Sequence, residues 1–430
     1  MKKWLHRIFI LLLCYIALVV LLPIIIRGKS DKAEIDSYLE LWDEQIETHD
    51  LIALLEDPVQ SGDVRLSLID SAKESIDICY HTMKEGQYTA IFFNHLFTAA
   101  DRGVKVRFII DEMMGCMPKK TQKILASYPN IELYLYEPAS LLRPWTINNR
   151  MHDKMFIIDS EIAITGGRNL ADKLYGYNQK IIEPVFDRDF IIKKDGEKSI
   201  INSMDKYFAL LLSLDYVKQY EAKGNSQGFR FKEGERLEAT PFDLDSMELE
   251  AASIIRVSNP QGRNSKAPVI WDTLIAFMKE ADDEVIIQSP YIVPTAKQLK
   301  ELGQVEVPIY YITNSINTTP NFPAFSSYLV SRPSIAKTGT IREYNGDGSI
   351  HAKTILIDED ISIIGSFNLD PRSVYLDTES MYIIKSEALN TELRAIMQEL
   401  DKQDSASSTW FKKASLYVLG IILFPFRMLV

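Results

Sequence analysis

"SIHAKTILIDEDISIIGSFNLD" runs from Ser349 to Asp370. Apolar and polar residues alternate through it, as in a strand whose two faces meet different surroundings. It opens with His351 and Lys353 and closes with Ser366 and Asn368. A period of two puts residues 351 and 353 on one side of a strand, so an imidazole and an ammonium project together. The same pattern stands earlier in the chain, in "NRMHDKMFIIDSEIAITGGRNLAD" from Asn149 to Asp172. Aligned without gaps, His152 meets His351, Lys154 meets Lys353, Asp159 meets Asp358, Gly167 meets Ser366 and Asn169 meets Asn368. A lone His on a strand is usually a packed or surface residue, and a lone Lys at a strand edge is usually a guard against aggregation. That reading suits His6, His49, His81 and His95, but it does not explain two copies in register at one offset.

The surroundings repeat as well. "SLIDSAKESIDICYHTM" (Ser67 to Met83) and "TLIAFMKEADDEVIIQSPYIV" (Thr273 to Val293) each read as an amphipathic helix followed by a short apolar strand. "FNHLFTAADRGVKVRFIIDE" continues the first as a helix ended by Gly103 and a strand, and "VEVPIYYITNS" continues the second as a strand. This β-α-β rhythm predicts an α/β protein of two similar α-β-α layered domains, at 45–218 and 244–402. The polar, Gly-containing stretch 219–243 reads as the linker. Asp159 and Asp358 fall at the far ends of the motif strands, on the face away from the His–Lys pair, where "DSE" and "DED" suit hairpin turns. The returning strands "IAITGG" and "ISIIG" bring Asn169 and Asn368 back beside each pair.

Two half-sites meeting face to face would gather two His, two Lys and two Asn around one cavity. Two ammonium groups and two amides suit the non-bridging oxygens of a phosphoryl group. One His can attack phosphorus while the other protonates the leaving alcohol, giving a covalent phosphohistidine that a second alcohol or water resolves. Such a site needs no metal and no other cofactor.

The chain has 430 residues, 46% hydrophobic and 25% charged, with a net charge of −11. Length and composition allow two folded domains. The acidic balance gives no basic footprint for nucleic acid. Cys14, Cys79 and Cys116 form no C-x-x-C pair, so zinc and thiol redox chemistry have no support. The uncharged run Ile8 to Ile26 is long enough to cross a bilayer as a helix, and no small-residue cleavage site follows it, so 1–30 reads as an uncleaved membrane anchor. Lys2, Lys3 and Arg7 precede the run, and Arg27, Lys29 and Lys32 follow it, so the charge rule discriminates little. A lone N-terminal anchor with a basic start leaves its tail in the cytoplasm, which puts the domains outside. The segment 409–430 is apolar but short, interrupted by Pro425 and flanked by Lys412, Lys413 and Arg427, and reads as an amphipathic helix at the membrane interface.

The two "HxKxxxxD" blocks resemble the paired motifs of the phospholipase D superfamily. "GGRNLAD", "SPYIVPT", "IREY" and "GSFNLDPRSVYLDTE" are similar to its bacterial cardiolipin synthase branch, over most of residues 60–400. The resemblance implies a phospholipase D fold, a bacterial plasma-membrane location and catalytic motif residues His152, Lys154, Asp159, His351, Lys353 and Asp358. It also implies that His152 is the nucleophile, and that Lys154, Lys353, Asn169, Asn368 and Ser366 bind phosphate. An acidic residue of each half would orient the His of the other: Glu379 for His152, and Asp187 for His351 with Asp189 as second choice. Gly167 offers no hydroxyl opposite Ser366, so the halves need not be equivalent.

The function expected is a membrane phosphatidyltransferase that converts two phosphatidylglycerols to cardiolipin and glycerol. Its partners would be the phospholipid substrate and the bilayer. Hydrolysis by water at the same site is the alternative within this chemistry. A nuclease acting on single strands has the net charge and the lack of a Lys/Arg stripe with interleaved aromatics against it. A scaffold with a decayed site has both intact motifs against it.

Overall fold

The computed structural model describes residues 2–43, 50–140, 143–177, 184–235, 242–243, 246–401 and 410–428. The first half carries strands β1 (Asp50–Leu55), β2 (Ser75–Tyr80), β3 (Lys105–Asp111), β4 (Ile131–Tyr136), β5 (Arg150–Met151), β6 (Met155–Ile158), β7 (Ile162–Gly166), β8 (Val185–Phe186), β9 (Asp189–Lys194) and β10 (Val217–Gln219). The second carries β11 (Glu250–Ser258), β12 (Val285–Gln288), β13 (Ile309–Asn314), β14 (Thr340–Tyr344), β15 (Ser349–Ile350), β16 (Thr354–Ile357), β17 (Ile361–Gly365), β18 (Asp377–Thr378) and β19 (Ser380–Lys385). Helices α1 (Lys2–Ile25) and α2 (Lys32–Asp43) precede them. Within the first half lie α3 (Pro58–Ser71), α4 (Gln87–Asp101), α5 (Lys119–Ala126), α6 (Ile200–Ser213) and α7 (Lys232–Glu235). The rest are α8 (Val269–Lys279), α9 (Ala296–Leu302), α10 (Phe322–Ile335), α11 (Pro371–Tyr375), α12 (Glu387–Asp401) and α13 (Trp410–Leu423).

Local chemistry sets these elements. Asp57 caps α3 by accepting from the Gln60 amide, with Pro58 in the first turn. Gly103, at φ +95°, reverses the chain between α4 and β3, a conformation that costs glycine least. Thr295 and Gln298 form a reciprocal capping box at α9.

The mixed α/β architecture follows the repeat, with one difference. The two sheets do not stand apart as separate layers. β1 pairs antiparallel with β11, Asp50 opposite Ala252, and joins them edge to edge. Among the described residues the result is one sheet of 15 strands, in the order β10-β4-β3-β2-β6-β7-β9-β1-β11-β19-β17-β16-β12-β13-β14. Pairing the two inner edges removes the exposed donors and acceptors that each sheet would otherwise present. One apolar cluster underlies α3, α4 and α5 and a second lies with α8 and α10. The third, packed against α6 and α12, runs without a break from Ile52 and Ile109 to Ile312 and Leu356.

The expected linker is partly bound. Phe231 stacks on Phe97 of α4, and its backbone exchanges hydrogen bonds with the Asn94 side chain. Two aromatic side chains, Phe229 and Phe231, outweigh the polar composition of this stretch. Residues 236–241 of it, and 45–49 at the start of the first half, lie outside the described residues.

Helix α1 forms where the apolar run predicts one, and Trp4, Phe9, Leu11 and Leu12 on it are exposed. Among the described residues, no helix is long and apolar enough to cross a membrane. Helix α13 packs on α10 through Leu416 and Gly420, where a Cβ would fall 2.1 Å from the Ser326 carbonyl oxygen. Trp410, Phe411, Val418, Ile421 and Ile422 on α13 are exposed.

Candidate active site

The alternation expected at the head of each motif breaks. Residues 152–154 and 351–353 belong to no strand. β5 and β15, just before each His, leave the main sheet and pair with the opposite half: Met151 with Thr378, and Ile350 with Phe186. The His152 amide donates to the Thr378 carbonyl at 3.0 Å, and the His351 amide to Phe186 at 2.7 Å. Each histidine is thus held at the junction by the half it does not belong to. Asp111 anchors β5 further, accepting from Arg150 Nη1 and from the Met151 amide, both at 3.0 Å.

The side chains cross in the same way. Nδ1 of His152 lies 3.0 Å from both carboxylate oxygens of Glu379. Nδ1 of His351 lies 2.6 Å from Asp187 Oδ2. Both carboxylates are fully buried. Lys154 Nζ donates to the His152 carbonyl, and Lys353 Nζ to the His351 carbonyl, so each motif folds its cation back onto its own histidine's backbone. Lys353 Nζ also sits 3.0 Å from Nδ1 and 3.3 Å from Nε2 of His351.

Burial and the neighbouring charges tune these groups unequally. Burial, reinforced by Lys154, Lys353 and His351, holds the His152 imidazole well below its ordinary value. His351 is also lowered by burial and Lys353, but Asp187 opposes the shift. Burial alone would raise Asp187, yet His351 and Lys353 outweigh it and hold this carboxyl well below the usual range. Glu379 goes the other way, because burial prevails over Lys154 and the Ser366 hydroxyl. Burial brings Lys353 down to about 8 and lowers Lys154.

The remaining motif residues divide. The Asn169 Oδ1 atom accepts from the Thr82 amide at 3.1 Å, and Asn368 Nδ2 donates to the Tyr291 hydroxyl at 3.3 Å. Asn368 Oδ1 is buried without a partner among the described residues. Ser366, expected among the phosphate ligands, instead donates its hydroxyl to Glu379 Oε2 and accepts from the Ser380 amide at 3.1 Å. The corresponding Gly167 explains the asymmetry: a Cβ there would lie 2.1 Å from Asp187 Oδ1, so glycine leaves room for that carboxylate.

Asp159 and Asp358, carried into the catalytic set by the motif, stand at the opposite ends of β6 and β16 from Lys154 and Lys353. Asp159 accepts from the amides of Lys73, Glu74 and Ser75, and Asp358 from those of Asp282, Asp283 and Glu284. They tie the turns leading into β2 and β12, not their own hairpin turns as the sequence suggests, because the ends of β6 and β16 lie beside those distant turns. Asp189, the second choice beside His351, is bound by Arg65 Nη2 at 2.6 Å and Ser61 Oγ at 3.3 Å and makes no contact with either imidazole. Cys79 and Cys116 are free thiols. Among the described residues no three His, Cys, Asp or Glu side chains are grouped to hold a metal ion.

Three neighbours escaped the sequence reading. Asp153, between His152 and Lys154, accepts from Ser380 Oγ at 2.6 Å and Tyr207 Oη at 3.0 Å, a second clamp across the halves. Tyr291 meets Asn368. The ring of His81 lies edge-on to His152, centroids 4.7 Å apart. Pairing of β2 with the motif strand, Cys79 opposite Met155, is the signal that would have brought residue 81 to the site.

Comparison with known proteins places this arrangement. The family model described as "Cardiolipin synthase, PLD-like domain" matches residues 66–208 and again 274–401. Cardiolipin synthase C of Escherichia coli is 26% identical over 387 residues, covering 78% of this chain and 81% of that protein. Cardiolipin synthase 1 of Bacillus cereus is 28% identical over 371 residues, covering 82% and 66%. The crystal structure of phosphatidylserine synthase from Haemophilus influenzae Rd KW20 superposes with a TM-score of 0.64 at 13% identity, covering 92% of this chain and all of that one, which shows a common fold.

Proposed function

The chain belongs to the cardiolipin synthase family of phospholipase D-like domains, and on that premise we propose that it is a phosphatidyltransferase joining two phosphatidylglycerols into cardiolipin and glycerol. The observation that carries this reading is the reciprocal pairing of His152 with Glu379 and of His351 with Asp187. It leaves two imidazoles with Nδ1 engaged by a carboxylate of the other half and Nε2 as the reacting atom.

His152 is the nucleophile in this reading, because the group kept neutral by burial is the one able to attack. Its Nε2 forms a bond to phosphorus as the bond from phosphorus to the glycerol oxygen breaks. His351, whose protonated form Asp187 favours against burial and Lys353, gives its proton to that oxygen. A second phosphatidylglycerol then loses a hydroxyl proton to His351 and attacks phosphorus, which frees His152. Lys154, Lys353, Asn169 and Asn368 bind the non-bridging oxygens, where charge develops. The halves 45–218 and 244–402 act as two phospholipase D-like half-sites. Water in place of the second lipid would give phosphatidic acid instead.

The substrates reside in a bilayer, and the surface suits one. Exposed apolar side chains line α1 from Trp4 to Leu13, α13, and the turn Pro144–Asn148 at Trp145 and Ile147, just before His152. We assign α1 as an apolar attachment to the bacterial plasma membrane and α13 as a helix in its interface.

The test is purified protein in detergent with phosphatidylglycerol labelled in its glycerol headgroup. Release of labelled glycerol with formation of a four-chain lipid, lost in His152→Ala and in His351→Ala, is the expected result. Phosphatidic acid alone would favour hydrolysis.

A further inference from the structure

His81 stands in the first half where the second half has no equivalent. Cys79 pairs with Met155 and Gln288 with Thr354, the two corresponding positions that open the motif strands. Two residues on, the chain has His81 on one side and Pro290 on the other. The difference falls beside one catalytic imidazole only.

The contacts of His81 are specific. Its Nδ1 lies 2.6 Å from the Met151 carbonyl oxygen. A carbonyl oxygen only accepts, so Nδ1 carries the hydrogen and donates. Met151 immediately precedes His152, and its amide is already held by Asp111. The His81 ring meets that of His152 at 72°, centroids 4.7 Å apart. Glu379 fixes the Nδ1 end of His152, but a single hydrogen-bonded end leaves the ring free to rock about it. A second wall removes that freedom and covers the ring from water.

We infer that His81 is a positioning residue for His152: it clamps the backbone at Met151 and holds the His152 ring at a fixed angle for attack on phosphorus. This rests on His152 as the nucleophile of phosphatidyl transfer. The charged and titratable groups that face His152 are Glu379, Lys154, Lys353, His351 and Arg372. Burial, then His152 and Lys154, keep His81 itself well below the ordinary imidazole range, so at neutral pH it adds a wall without adding charge.

The experiment compares His81→Ala and His81→Phe in the full chain in detergent, with two readouts. The first is phosphatidyl transfer against pH. Loss of the wall lets the ring rock and admits water, so His81→Ala is expected to lower kcat by roughly 10- to 100-fold with little change in KM. The same loss of burial makes the protonated form of His152 less unfavourable, so the acid limb of kcat/KM moves up by about half a pH unit or more. His81→Phe keeps the wall but loses the hydrogen bond to Met151, so it is expected to restore the limb while recovering only part of kcat. The second readout is the titration midpoint of the His152 ring by NMR without substrate, which is expected to rise in His81→Ala and not in His81→Phe. Transfer in His81→Ala within twofold of the parent, or an unmoved His152 midpoint in that variant, would overturn the inference. If the parent itself transferred no phosphatidyl group, the functional reading would fail while the NMR midpoints still decided the role of His81.

Discussion

Glu379 and His152 come from opposite halves of the chain and meet with Nδ1 of the imidazole 3.0 Å from both carboxylate oxygens. The carboxylate is buried and receives the Ser366 hydroxyl as well. It fixes which nitrogen of His152 carries the hydrogen and leaves Nε2 with the lone pair. Glu379→Gln preserves shape but lets the amide group donate to Nδ1 and favour the wrong tautomer. The expected loss in kcat is roughly 10²- to 10⁴-fold, with an unchanged circular dichroism spectrum. Glycerol release measured on the purified variant checks this, and a loss below threefold would show that the contact does not set the tautomer.

Lys353 supplies a pH limit. Burial brings its ammonium down to about 8. The proposed phosphate-binding role needs the protonated form, which is present below that value and lost as pH rises through it. The kcat/KM for phosphatidylglycerol should therefore fall above about pH 8, approaching about tenfold per unit. An arginine does not titrate in this range. In Lys353→Arg the decline near pH 8 should vanish even if the overall rate is lower; the same break in the variant would assign it to another group.

The two motif aspartates should behave as structural residues. Asp159→Ala and Asp358→Ala each leave three amides without their acceptor. These amides are partly exposed and can turn to water, so a loss of roughly 1–3 kcal/mol in urea unfolding is expected. Transfer activity at low temperature should stay within about threefold of the parent, since both carboxylates are engaged by turn amides at the strand ends away from the lysines. A complete loss of activity in a folded variant would return them to the chemistry.

The outer face of α13 should govern membrane binding. Trp410 and Ile421 are 81% and 54% exposed. If this face enters a bilayer interface, Trp410→Ser and Ile421→Ser should each weaken partition into phosphatidylglycerol vesicles by roughly tenfold. Sedimentation with vesicles measures it, and unchanged binding in the double variant would place the membrane contact elsewhere.

The sequence reading reached furthest where the pattern is local or repeated. The offset shared by His152, Lys154, His351 and Lys353 indicated a paired site, and a turn role for Asp159 and Asp358 was legible, but the turns they hold, at 73–75 and 282–284, were not. Glu379 and Asp187 came through family resemblance, since no local rule links residues 227 positions apart. The features that escaped all depend on pairing across the fold. The strand breaks at 152–154 and 351–353 arise because β5 and β15 cross to the other half. The seam from β1 to β11 is formed by two edges distant in sequence. Ser366 looked like a phosphate ligand until Glu379 was seen to take its hydroxyl. His81 looked like packing because nothing near it in sequence announces His152.

The division of labour between the histidines is tested most directly by trapping the covalent intermediate. The protein is mixed with phosphatidylglycerol, quenched in alkali within the first turnover and digested, and the peptides containing residues 152 and 351 are analysed by mass spectrometry. The account predicts a phosphatidyl adduct on His152 that persists longer in His351→Gln when a nitrophenol headgroup replaces glycerol, because a good leaving group needs no acid. An adduct on His351, or none on either histidine during active turnover, would contradict it.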